Sequence, residues 1–180
     1  MKRTRFAFVA FCILISSFGV QAQAETDSLL SVSNDSTHVK FQNYFYEALK
    51  QKALENYSKA IDALVTCNSL NSSESVIFHE LGTNYFKLKQ YENSEFNFQK
   101  AIALDSDNFW YKESLYHLYI EQNRFEEAII ALKPLLFRHP DYKQDLVNLY
   151  LEVGRYDDAL NVLDDLDNTL GVKPSRDQIR

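Results

Sequence analysis

Arg124-Phe125-Glu126-Glu127-Ala128 and Arg155-Tyr156-Asp157-Asp158-Ala159 share one pattern, Arg-aromatic-acid-acid-Ala. Each is preceded by a matching run: Tyr111-Lys112-Glu113-Ser114-Leu115 and Leu118-Tyr119-Ile120-Glu121 in one case, Tyr142-Lys143-Gln144-Asp145-Leu146 and Leu149-Tyr150-Leu151-Glu152 in the other. Anchoring on the small residue extends the register to Ala60, Ser94, Ala128 and Ala159, spaced 34, 34 and 31 residues apart. An aromatic stands three places before each anchor (Tyr57, Tyr91, Phe125, Tyr156). Leu64, Phe98, Leu132 and Leu163 follow it by four places, and Cys67, Ala101, Leu135 and Leu166 by seven. Offsets of three, four and seven trace one face of a helix.

An upstream set repeats as well: Glu47-Ala48, Leu81-Gly82, Leu115-Tyr116 and Leu146-Val147. Each unit is therefore two helices joined by a short polar turn such as Lys89-Gln90 or Gln122-Asn123-Arg124. Only 4 Gly and 3 Pro occur in 180 residues, which favours long helices over a turn-rich β fold. A single helix pair cannot bury its apolar face, so stacked pairs must share one core. Small side chains (Gly82, Ala101, Ala128) let helices approach, and aromatics such as Tyr85, Phe98 and Tyr119 fill the space beside them.

The pattern resembles the tetratricopeptide repeat family, whose period is 34 residues. The second unit carries it best: Phe78, Leu81-Gly82-Thr83-Asn84-Tyr85, then Ser94 in place of the usual Ala, Phe98 and Ala101. The third unit has Ala128 and Pro140 but Tyr116 where Gly is usual. The resemblance runs from Phe41 to about Leu166 and implies an all-α, right-handed solenoid of antiparallel helix pairs, about four units long. Two irregularities are expected to show. The fourth unit is three residues short, a loss placed around the junction following Pro140, so its first helix should start late. Pro134 falls inside the second helix of the third unit and should kink it, since it cannot bond to the Ile130 carbonyl.

The N-terminus reads as an address. Lys2, Arg3 and Arg5 precede the apolar stretch Phe6 to Val20, and small residues then allow cleavage after Ala22 or Ala24. Fifteen apolar residues fall short of the roughly 20 that span a bilayer. The expected organisation is a signal peptide over 1–24, a disordered Ser- and Asp-rich leader over 25–40, the array over 41–168, and a polar tail or the start of a further helix over 169–180. Export across the inner membrane, to the periplasm or cell envelope, follows, with no integral membrane segment after cleavage. Removing the signal leaves 16 cations against 25 acids, a net charge of −9 that gives no electrostatic basis for binding nucleic acid. Cys12 leaves with the signal; Cys67, at a position that is small or apolar in the other units, is expected in the core.

No Gly-rich phosphate loop, Gly-x-Ser-x-Gly elbow or His-Glu-x-x-His motif is present, and the protein is not expected to be an enzyme. Acidic pairs such as Glu126-Glu127 and Asp157-Asp158 suit helix starts, where negative charge is favoured. His79, His117 and Glu113 do not by spacing make the three or four converging ligands a metal needs, and neither metal nor cofactor is expected.

The resemblance implies that the first helix of each unit lines a concave groove. Its inward positions carry over to Phe45 and Leu49; His79, Thr83 and Phe86; Trp110, Glu113, His117 and Ile120; and Gln144, Asn148 and Leu151, with Gln42, Lys52 and Val76 beside them. That mixture suits an extended peptide or a helix of a protein partner, with Trp110 and Phe86 as anchors. Some relatives grip a C-terminal carboxylate with Lys and Asn; the matching places here are Phe45 and Leu49, so that clamp is absent. The expected function is an exported scaffold that holds a protein or peptide. The alternatives are a sensor or docking domain of a longer chain continuing past Arg180, and self-association through uncapped array ends.

Overall fold

The computed structural model describes residues 36–71 and 73–170. Within them lie eight α-helices: α1 (36–53), α2 (Tyr57–Leu70), α3 (Ser75–Lys87), α4 (Tyr91–Leu104), α5 (Phe109–Glu121), α6 (Phe125–Leu132), α7 (Lys143–Glu152) and α8 (Tyr156–Leu170). Consecutive helices pack on one another from α2 to α8, and α3 also touches α5, so first helices of successive units are neighbours. This is a helical repeat solenoid of four pairs, with no strand among the described residues. None of the described helices is long and apolar enough to cross a membrane. The expected signal, residues 25–35 of the leader and residues 171–180 of the tail lie outside the described residues, and residues 169–170, expected in the tail, end α8. Residues 36–40, expected in the leader, form the first turns of α1.

All four anchors, Ala60, Ser94, Ala128 and Ala159, are fully buried. So is Cys67, whose thiol donates to the Phe41 carbonyl and is pushed up in pKa by burial. The core has two centres. One gathers Ala48, Leu64, Ile77, Phe78 and Leu81 with Tyr111; the other gathers Tyr116, Ile129, Leu132, Leu146, Val147 and Tyr150.

A backbone device repeats at every turn between paired helices. Glu55, Lys89, Asn123 and Gly154 take φ of 59°, 58°, 56° and 75°, the left-handed conformation. In each case the N–H of that residue bonds to the carbonyl three back, and the next N–H bonds to the carbonyl five back: Asn56 to Gln51, Gln90 to Tyr85, Arg124 to Tyr119 and Arg155 to Tyr150. These paired bonds close a helix C-terminus by satisfying its orphan carbonyls. The second helix starts at once, its first bond running from the anchor's N–H to the carbonyl of the residue that closed the turn. The anchor spacing is thus fixed to the turn by hydrogen bonds.

Both irregularities appear, each in altered form. Eighteen residues separate the starts of α4 and α5, but only fifteen separate the start of α6 from Pro140. The three missing residues are therefore lost before Pro140, at the end of the third unit, and not after it. The first turn of the fourth unit is kept, wound as a 3₁₀ turn over Pro140–Tyr142 ahead of α7. Pro134 does not kink its helix but ends it. The α-helical bonding stops at Leu132 and passes into a 3₁₀ turn over Lys133–Leu135, where Leu136 N–H bonds to the Lys133 carbonyl. With no N–H on Pro134, the i→i−4 ladder has nothing to continue with. The second helix of this unit is 8 residues long, against 14 in α2 and α4.

Candidate functional site

The faces of α1, α3, α5 and α7 are stitched together by polar contacts. Lys52 Nζ on α1 lies 2.6 Å from Glu80 on α3. His79 Nε2 on α3 is 2.8 Å from Ser114 Oγ on α5, and its ring lies 4.7 Å from that of Tyr111. Burial holds the His79 imidazole below its ordinary pKa, which keeps it neutral at pH 7. Between α5 and the fourth unit, the Tyr142 hydroxyl donates to Glu113, and the Asp145 carboxylate lies near Tyr116. Burial first, and then the adjacent carboxylate, pushes both tyrosines up to about 12. They stay protonated, and so remain donors, at any physiological pH.

These contacts divide the expected groove residues into three groups. His79 and Glu113 are committed to neighbouring helices, and Thr83 donates back to the His79 carbonyl one turn earlier. Phe45, Ile120 and Leu151 are half-buried against the two core centres, Phe45 stacked on Phe41. Leu49 and Phe86 are half-buried, Phe86 meeting the Tyr91 ring edge-on. Trp110, His117, Gln144 and Asn148 are exposed; Trp110 keeps 65% of its surface, with one edge against Phe109. Gln144 and Asn148 bond to each other one turn apart on α7.

The structure also joins residues that the repeat pattern did not single out. Ring contacts run from Trp110 to Phe109, from Phe109 to His139 and Tyr142, from Tyr142 to Tyr116, and from Tyr116 to His117. This aromatic row crosses the junction between the third and fourth units and ends at both sides on exposed rings. On the second helices, Arg124 lies 4.6 Å over the Tyr119 ring and binds Glu95 at 2.5 Å, locking the third unit to the second. Arg155 repeats the arrangement over Tyr150, reaching Glu126 at 3.4 Å. The repeated Arg-aromatic-acid-acid-Ala string was the available signal for this interlock, but the distant carboxylate partners carry no local mark. Among the described residues no group of three or more His, Cys, Asp or Glu is placed to hold a metal ion.

Residues 76–108 match the tetratricopeptide repeat profile. No curated protein sequence matches the chain. The fold is similar to that of MamA in its crystal structure, at 17% identity over 73% of this chain and 81% of that one, with a TM-score of 0.61. It is similar to a tetratricopeptide repeat protein from Parabacteroides merdae, at 15% identity over 72% of this chain and 53% of that one, with a TM-score of 0.63. It is also similar to the first such domain of Spaghetti (RPAP3) bound to an HSP90 peptide, at 18% identity over 64% of this chain and 96% of that one, with a TM-score of 0.57. The chain therefore has the tetratricopeptide-repeat fold, and its second helix pair matches the repeat of that family in sequence as well as in shape.

Proposed function

We propose that the protein is an exported scaffold that captures a protein or peptide partner along the faces of α1, α3, α5 and α7 and performs no chemistry of its own. The observation that carries this is Trp110. A large aromatic is left 65% exposed on a first helix that also exposes His117, while Tyr111, Tyr116 and Tyr119 of the same helix are buried. Aromatic anchors of this kind dominate the energetics of protein interfaces. The fold supports the reading, since the neighbour from RPAP3 was solved with a peptide bound. The basic start and apolar run of residues 2–20 support export to the cell envelope.

The test is a pair of substitutions. Trp110→Ala and Phe86→Ala should each weaken partner capture by about 2 kcal/mol or more, the loss expected when an interface anchor is truncated, while far-UV circular dichroism stays unchanged. Capture at full strength by both variants would remove this face from the function.

A further inference from the structure

After α6 ends at Leu132, the chain over 133–138 runs past the start of α5. A pocket of about 210 Å³ lies there, lined by Phe109, Pro134, Leu135 and Phe137, by Lys112 and Arg138, and by Asp107. Its lining mixes apolar side chains with charged ones, and Phe137 is 94% exposed. Its charges are anomalous for their surroundings. Residues 105–170 hold fourteen acids and six cations. Of those cations, Arg124, Lys143 and Arg155 pair with carboxylates and Lys133 lies over the Tyr150 ring. Lys112 and Arg138, among the described residues, have no carboxylate within ion-pair distance, and they share this one pocket. With Asp107 beside them the pocket carries one net positive charge. The start of α5, where the helix dipole is positive, adds to it. The aromatic row leads from this pocket, by Phe109 and Tyr142, to His117 on the capturing face.

We infer that this pocket binds an acidic segment of the partner, taking one carboxylate side chain between Lys112 and Arg138 and a neighbouring large apolar side chain against Phe109 and Phe137. The inference rests on the capture proposed above and names the chemistry of what is captured. Arg offers a planar fork of donors to a carboxylate and Lys a point charge, so the pair can hold both oxygens. Phe109 and Phe137 supply apolar contact area next to the charged pair.

Trp110 is the only tryptophan of the chain and stands beside Phe109, so its emission reports on the site. The probes are the acetylated, amidated peptide Ser-Gly-Asp-Phe-Gly-Ser and its counterparts with Asn or Lys in place of Asp. The Asp peptide should give a saturable change in emission and bind about tenfold or more tightly than the Asn peptide, the difference expected of a charge-assisted contact. That preference should shrink as salt is raised from about 0.05 to 0.5 M. Lys112→Gln combined with Arg138→Gln should abolish it without changing helical content. Equal titration by the Asp and Asn peptides, tighter binding of the Lys peptide, or no response to any peptide would overturn the assignment. A His117→Arg variant separates this from the broader reading. If it weakens all peptides alike while the double variant weakens none, capture on the first-helix face stands and the acidic pocket falls.

Discussion

Gly82 is the point where α3 and α4 approach most demandingly. A Cβ at this position would lie 2.5 and 2.6 Å from Phe98 Cδ1 and Cε1 and 3.1 Å from Cγ. Carbon atoms in good contact sit at ~3.5–4.0 Å, so the methyl of an alanine would overlap the ring by about 1 Å. The ring has little room to yield: Phe98 is 2% exposed. The backbones are pinned as well, because the buried Ser94 Oγ on α4 donates to the Gly82 carbonyl at 2.8 Å. Overpacking of this kind costs about 1–3 kcal/mol, while alanine recovers about 1 kcal/mol of helix propensity over glycine. With two ring atoms deep inside the contact, the overpacking cost belongs in the upper half of its range, and Gly82→Ala should destabilise by ~1–2 kcal/mol. The assay is urea unfolding followed both by circular dichroism and by Trp110 emission, since repeat arrays can unfold unit by unit. In a Phe98→Leu background the same substitution should cost nothing or stabilise by up to about 1 kcal/mol, a coupling of ~1–3 kcal/mol. A Gly82→Ala protein as stable as the parent, or equal costs in both backgrounds, would refute the close approach.

The left-handed turn residues make a second series: Lys89→Gly should stabilise by about 0.5–1 kcal/mol and Gly154→Ala should destabilise by ~1–2 kcal/mol, both read as shifts in the urea midpoint. A third prediction concerns pH. The hydrogen bond from Arg124 holds the Glu95 carboxyl below its usual value near 4.5. A depressed folded-state pKa contributes stability that is present above the unfolded value and lost as pH falls through the folded one. The margin of the parent over Glu95→Gln should therefore be full at pH 7, begin to shrink near pH 4.5, and vanish at lower pH; a margin independent of pH would show that the bridge contributes nothing.

The repeat was legible because its chemistry is local. Ala60, Ser94, Ala128 and Ala159 must be small where helices cross, and all four are fully buried. Cys67, Ala101 and Leu135, seven residues on from the first three, are buried with them, whereas Leu163 and Leu166 on α8 are only partly so. No described helix follows α8 to cover their outer side. Periodicity says which face of a helix is turned inward but not what a polar side chain will meet there. His79 and Glu113 occupy the expected positions, yet Ser114 and the Tyr142 hydroxyl, 35 and 29 residues away, claim them. The left-handed turns are unmarked in the sequence for a different reason. Glu55 and Lys89 are not residues that announce such a conformation, and the bonds of the helix end impose it on them. The pocket beside Phe109 needed both Pro134 and the true place of the three-residue loss, which only the helix ends reveal.

The central claim is that the partner is held on the first helices and not on the second. A photo-reactive amino acid placed at His117 on α5, or at Phe96 on α4, tests it inside the native cells. Both side chains are exposed, Phe96 to 59%. Cross-linking to another protein from position 117 with none from position 96 is the predicted result. Cross-links from position 96 alone, or from position 117 only to other copies of this chain, would contradict it.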